Sequence, residues 1–195
     1  MRFTFVLLVI FFFQNCFSQT DQAKLIFIDN TELDGFATIK NNKILFRLSL
    51  NDIADEWDEN MVKRIIFYGY NTVFIYAYLQ INNHSKPRLF EVVTEGNVTL
   101  YSDFTRNKNG WNNLQDNSRS PMRTFTFFDP NVDMPDIYLK RDFEEFPVDL
   151  NYNFKKQAMD YFSDCEVLVE KIKVGKLRKN QIDEIVNYYN DFCVE

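Results

Sequence analysis

A change of hydrophobic period near Pro147 constrains this chain more than any other feature. Between Lys24 and about Asp142 the apolar residues fall in short runs with a repeat of two. "KLIFI" gives way to Asp29-Asn30 and "GFATIK" to Asn41-Asn42; in "KILFRLSL" the apolar Ile44, Phe46, Leu48 and Leu50 alternate with Lys43, Leu45, Arg47 and Ser49. Alternation bounded by turn residues is the mark of hairpins. Further runs follow in "VKRIIFYG", "TVFIYAYLQ", "RLFEVVTEG", "VTLYSDF", "RTFTFFD" and "DIYLKRD". They are rich in β-branched and aromatic residues and are punctuated by Gly69, Pro87, Gly96 and Pro130.

Beyond Pro147 the repeat becomes 3.6. Phe154, Ala158, Tyr161 and Phe162 mark one helical face behind a cap at Asn151 or Asn153. Ser163 and Glu166 have the spacing of a capping box that opens a second helix, with Cys165 in its first turn and Leu168, Val169 and Ile172 on its stripe. Gly175 supplies a stop. A third helix from about Asn180 aligns Ile182, Ile185, Val186, Tyr189 and Cys193. The expected fold is therefore α+β: an antiparallel β-sandwich or partly open barrel, then a C-terminal three-helix segment.

The N-terminus reads as a separate unit. Arg2, the apolar run Phe5 to Phe13 and a short polar stretch closing on Cys16, Phe17 and Ser18 have the layout of a secretory signal peptide. Nine apolar residues are too few for a membrane span, which needs about 20. Cys16 and Ser18 fit the small-residue positions of a cleavage site, placing the cut between Ser18 and Gln19. A lipoprotein acylated at Cys16 is disfavoured, because Phe13, Gln14 and Asn15 lack the small residues that precede such a cysteine. The expected organisation is a signal peptide at 1–18, a β-rich domain at 19–146 and a helical subdomain at 147–195 packed on it. No other apolar run is long enough to span a membrane after signal removal.

Loss of the signal takes Arg2 with it and moves the net charge from −6 to −7. Nucleic acid as a partner is disfavoured, because its phosphates call for basic patches.

Cleavage leaves Cys165 and Cys193 as the only cysteines. A thiol at a helix N-terminus can be nucleophilic, and the single histidine, His84, would have to serve as its base. The geometry favours a staple. Helix two begins at Cys165, helix three ends at Cys193, and the short link from Gly175 to Asn180 makes an antiparallel αα-hairpin. At about 1.5 Å per residue both cysteines arrive at its open end. Two cysteines in an exported chain then predict a Cys165–Cys193 disulfide. Structural zinc is disfavoured, since it takes four Cys or His ligands.

Other candidate chemistry is thinner. Asp52, Asp55, Glu56, Asp58 and Glu59 crowd "NDIADEWDEN", read as a loop or single helical turn, but the spacing misses the calcium-loop pattern and has no glycine for its turn. A solvated acidic edge is the simpler reading. Glu91 with Glu95, or Asp142 with Glu144, could be nominated for glycoside hydrolysis. With 28 acids in the chain, such nominations discriminate little. The polar segment Thr105 to Pro121 is long for a hairpin connection, and Asn109, Trp111 and Asn112 at its centre are the candidate partner-binding residues. Asn83-His84-Ser85 and Asn97-Val98-Thr99 match the glycosylation acceptor pattern. No phosphate-binding glycine loop, nucleophile elbow or zinc-protease motif is present, and no cofactor is expected.

Together, the leader ending "CFSQ", the segment "RLFEVVTEGNVTLYS", the later "IYLKR" and the close "YFSDC…IVNYYNDFC" resemble a group of uncharacterised secreted proteins of Bacteroidetes-type bacteria. The resemblance covers most of the mature chain and implies a strand–turn–strand opening, here "LIFIDNTELDGFATIKNNKILF", and a helical end carrying the spaced cysteine pair. It implies location and architecture but no activity. The acidic stretch before "VKRIIF" departs from the short turn motif of that group. The expectation is thus an exported non-catalytic binding or structural module of the periplasm or cell surface, with a protein or glycan of the envelope as partner. The alternative is a cell-envelope hydrolase using paired carboxylates. N-terminal sequencing of the exported protein is expected to begin at Gln19; a chain beginning at an acylated Cys16 would refute the cleavage assignment.

Overall fold

A computed structural model describes residues 20–69, 71–103 and 135–194. Ser18 and Gln19, Cys16, and the loop residues Asn109, Trp111 and Asn112 lie outside them. Among the described residues ten strands form one antiparallel sheet: β1 (Asp21–Phe27), β2 (Glu32–Lys40), β3 (Lys43–Arg47), β4 (Asp55–Trp57), β5 (Val62–Tyr68), β6 (Val73–Leu79), β7 (Arg88–Thr94), β8 (Val98–Asp103), β9 (Asp136–Arg141) and β10 (Val148–Asp149). The spatial order is β10-β9-β8-β7-β6-β5-β1-β2-β3-β4. Helices α1 (Phe154–Tyr161), α2 (Glu166–Lys173) and α3 (Ile182–Phe192) follow, with a 3-10 turn at Lys179–Gln181 before α3. The α+β class, the antiparallel sheet and the C-terminal helices are as the sequence predicts, and the sheet is a single open one. The acidic stretch is neither loop nor helical turn throughout, because Asp55–Trp57 pairs with β3 as an edge strand.

The pleat explains the alternating pattern. Cross-strand partners on one face run from Leu25 through Ile65 to Tyr76, and from Ser102 to Ile137. This inner face is buried in two ways. From β1 to β7 it collects Ala23, Leu25, Ala37, Ile44, Phe46, Val62, Ile65, Phe67, Phe74 and Leu89 into one cluster. On β8 and β9, Val98, Leu100, Ile137 and Leu139 are covered instead by Phe162, Leu168, Ile172, Ile185, Val186 and Tyr189 of the helical segment. A register shift between Val92 and Thr94 marks the handover on β7: Leu89 belongs to the first cluster, and Val93 packs against the second.

The first half of the sheet curls until the β2–β3 turn meets β7, with β1, β5 and β6 in between. Asn41 and Asn42 both take positive φ, as a two-residue hairpin requires. The Asn42 amide then donates to the carbonyl of Pro87 (3.2 Å) and accepts from the N–H of Leu89 (2.7 Å), while the Tyr78 hydroxyl donates to the Asn42 carbonyl (3.0 Å). Side-chain amide bonds, rather than a strand ladder, close the curl.

Asn190 of α3 treats β8 in the same manner. Its amide accepts from the N–H of Val98 and donates to the same residue's carbonyl, both at 2.9 Å. The preceding turn must be bare for this, since a Cβ on Gly96 would collide with the Asn190 amide.

Helix α2 ends as expected. Gly175 at φ 75° donates to Ile172, and Lys176 donates to Lys171, the two bonds of a Schellman motif. Its start differs from expectation: the N-cap is Cys165, and no side chain caps it. Ser163 and Asp164 instead form a tight turn in which the N–H of Cys165 donates to the carbonyl of Phe162 (2.9 Å), so no Ser163–Glu166 capping box forms. Asp164 turns toward α3 and accepts from the Tyr189 hydroxyl at 2.5 Å. Cys165 and Cys193 are joined, with their Cα atoms 5.6 Å apart.

Two stability outcomes are expected. Replacing both Cys165 and Cys193 by Ala should cost about 3 to 4 kcal/mol in urea unfolding, from the loop of 28 residues that the bond closes. Asn190→Ala and Gly96→Ala should each cost about 1 to 3 kcal/mol by leaving the β8 groups unpaired. Their combination should cost clearly less than the sum, because both act on one contact.

Candidate functional site

The inner face is apolar on both flanks and polar in one row between them. Glu91 of β7 pairs with Tyr76 of β6 on one side and Ser102 of β8 on the other. Ile65 and Ile137 continue the row outward. Directly opposed residues on one face of a sheet hold their Cβ atoms about 5 Å apart, so Glu91 stands between two hydroxyl side chains.

Among the described residues the three groups lack partners. The Ser102 hydroxyl is fully buried and makes no hydrogen bond. Among the described residues, neither the half-buried Glu91 carboxylate nor the half-buried Tyr76 hydroxyl has a hydrogen bond or ion pair. Burial pushes the Glu91 carboxyl up to about 7 from its ordinary 4.5. No charge from another residue contributes, so the cause is desolvation alone. Burial, and then the Glu91 charge, raises the Tyr76 phenol well above its ordinary range.

The other polar clusters hold elements of the fold together. Arg141 of β9 lies 4.4 Å from the ring centre of Tyr161 and donates to that residue's carbonyl, to Asp164 and to the Tyr189 hydroxyl. Glu144 accepts from the N–H of Arg141 (2.7 Å) and from the Tyr161 hydroxyl (3.0 Å). This network fastens α1, the turn before α2, and α3 to β9, and its groups satisfy one another. On the outer face Arg88 donates to the buried Asp103 at 2.7 Å and lies over the Phe90 ring.

The residues nominated from sequence are dispersed. Glu95 forms an ion pair with Arg64 at 2.7 Å. Arg64 adjoins the inward Ile65 and so points to the opposite face from Glu91. Asp142 is exposed, and Glu144 belongs to the Arg141 network. Cys165 is oxidised, and His84 sits in an exposed turn where its N–H donates to Asn82. Asp55 and Glu56 are adjacent on β4 and so point to opposite sides. Asp52 accepts from Ser49, Glu56 pairs with Lys43, and Asp58 accepts from Asn60. Among the described residues no group of three or more His, Cys, Asp or Glu side chains is arranged to hold a metal ion, and no helix is long and apolar enough to cross a membrane.

The sequence does carry a signal for the row. In "RLFEVVTEG" the period of two that points Leu89 inward also points Glu91 inward, placing a charge where an apolar residue is due. Nothing in one sequence shows that Tyr76 and Ser102 flank it, because pairing register joins positions 15 and 11 residues away.

Comparison of the chain with protein-family models, with curated proteins and with solved structures finds no match.

The carboxylate sets a pH dependence. Folded protein keeps the Glu91 proton up to about pH 7, whereas an unfolded chain releases it near 4.5. The unfolded state therefore binds fewer protons between these values, and stability falls as pH rises through the window. Glu91→Gln should remove that slope and gain on the order of 3 kcal/mol over wild type above pH 7.5. Urea unfolding of both proteins at pH 4.5, 6 and 8 reads the effect, and parallel curves would refute it.

Proposed function

We propose that this chain is an exported, non-catalytic binding protein of the periplasm or cell surface, whose ligand engages the row Tyr76–Glu91–Ser102. The observation that carries this reading is the row itself. A fully buried, unpartnered hydroxyl and an unpaired half-buried carboxylate each cost folding energy, and a bound ligand would satisfy both. The Cys165–Cys193 bond supports export, since disulfides persist in oxidising compartments. The proposed partner is a protein or glycan of the envelope. Asn109, Trp111 and Asn112 are proposed as a further contact.

A second reading has one observation in its favour. A carboxyl that titrates near neutrality suits a general acid, as an envelope hydrolase would need. Such an enzyme also needs a second carboxylate about 5 to 10 Å away, and neither Glu95 nor Glu144 accompanies Glu91.

Incubation of the exported protein with a soluble envelope extract, followed by native mass spectrometry, separates the two. Wild type is expected to retain an intact compound, with retention falling at least tenfold in Glu91→Gln and Ser102→Val. A cleaved product that disappears in Glu91→Gln would overturn the non-catalytic reading in favour of the hydrolase. Absence of both a retained compound and a product would overturn both. Loss of retention in Trp111→Ala alone would move the contact to the loop.

A further inference from the structure

We infer that the group received between Tyr76 and Ser102 is an ammonium. The inference rests on the binding reading above and adds to it the chemical class of the ligand.

The charge balance of the inner face points this way. On strands β5 to β9 the inward positions present one anion in the row, Glu91, and one cation, Arg141. Arg141 is committed to Tyr161, Asp164, Tyr189 and Glu144, so the Glu91 carboxylate has no counter-charge among the described residues. An anion would be repelled there. A calcium ion would find one carboxylate and two hydroxyls where it takes six to eight oxygens. An ammonium brings one positive charge and three N–H donors, and the row offers three accepting groups, a carboxylate and two hydroxyls, none of them hydrogen-bonded among the described residues.

The row is bounded by apolar side chains. Ile65 and Phe67 stand on one side of the row and Leu100 and Ile137 on the other, all fully buried. Phe67 meets the Tyr76 ring edge-on at 5.9 Å. Glu91 and Tyr76 are only half-buried, so the middle of the row can be reached from solvent. The groups that face Glu91 are few: Tyr76 from β6, Ser102 from β8, and helix α3, which brings Ile185, Val186 and Tyr189 to the cluster that Val93 of β7 joins. The Tyr189 hydroxyl is already spent on Asp164. A bound ammonium would hold Glu91 ionised, so binding should strengthen as pH rises from 5 to 8.

The test is isothermal titration of the full mature chain with n-hexylamine, n-hexanol and sodium hexanoate at pH 8, repeated with the amine at pH 5. The amine is expected to bind at least tenfold more tightly than the alcohol and the hexanoate not at all. Amine affinity should fall at least tenfold at pH 5, and Glu91→Gln should erase the preference for amine over alcohol. The pH series needs no substitution, so a poorly folded variant does not leave the question open. Equal binding of amine and alcohol without pH dependence would overturn the ammonium assignment while leaving the binding reading standing. Absence of binding by all three probes would overturn the ammonium assignment; the binding reading would then stand or fall on the extract experiment.

Discussion

This single sheet buries most of its apolar side chains on one face, with a smaller cluster of Leu79, Phe90 and Tyr138 on the other, and the larger face governs most of the structure. Alternating side chains give the sheet a continuous inner face, and no second sheet stands opposite it among the described residues. The chain covers the face with two devices. Strands β1 to β7 curl so that the face packs on itself around Leu25, Ile65 and Phe67. Strands β8 and β9 receive the stripes of the three helices. The helices are short, and a helix of eight residues has little stability of its own. They persist because they cover the sheet, because Arg141 binds α1, the turn before α2, and α3 to β9, and because the disulfide ties the start of α2 to the end of α3.

Asparagine side chains finish what the strands leave open. Asn42 bonds the backbone at Pro87 and Leu89, and Asn190 bonds both backbone groups of Val98. Asn151 accepts from the N–H of Ile137 at 2.8 Å and is itself held by Asp149. A carboxamide carries the donor and the acceptor of a peptide group, so it can extend a ladder where no strand is available. The Asn42 and Asn190 bonds join segments 45 to 92 residues apart in sequence and fix where the curl stops and where a helix sits.

The handover between the two devices is where the polar row lies. Glu91 stands between Leu89, which belongs to the curled half, and Val93, which belongs to the helix-covered half. A seam between two apolar clusters can hold a half-buried carboxylate without excluding water from it altogether. Such a site loses folding stability to keep its polar groups unpaired, a pattern typical of positions retained for binding or chemistry. Cross-strand pairing, and not proximity in sequence, assembles it.

The sequence by itself determined the class of fold, most of the strands, the three helical stripes, the Gly175 stop and the cysteine pairing. These follow from local periodicity, turn chemistry and a count of two cysteines, and such signals do not depend on distant residues. It missed both edge strands, β4, whose acidic residues mask a three-residue ladder with β3, and β10, which falls in the segment assigned to the helices, and it suggested a capping box that Phe162 and Asp164 displace. The inward charge at Glu91 was legible, but its neighbours were not. Only the tertiary structure decided that the sheet is one curled surface, that Asn42 and Asn190 close it, and that Tyr76, Glu91 and Ser102 share a row. Those outcomes depend on strand register and on contacts between segments up to 92 residues apart, which local patterns do not encode.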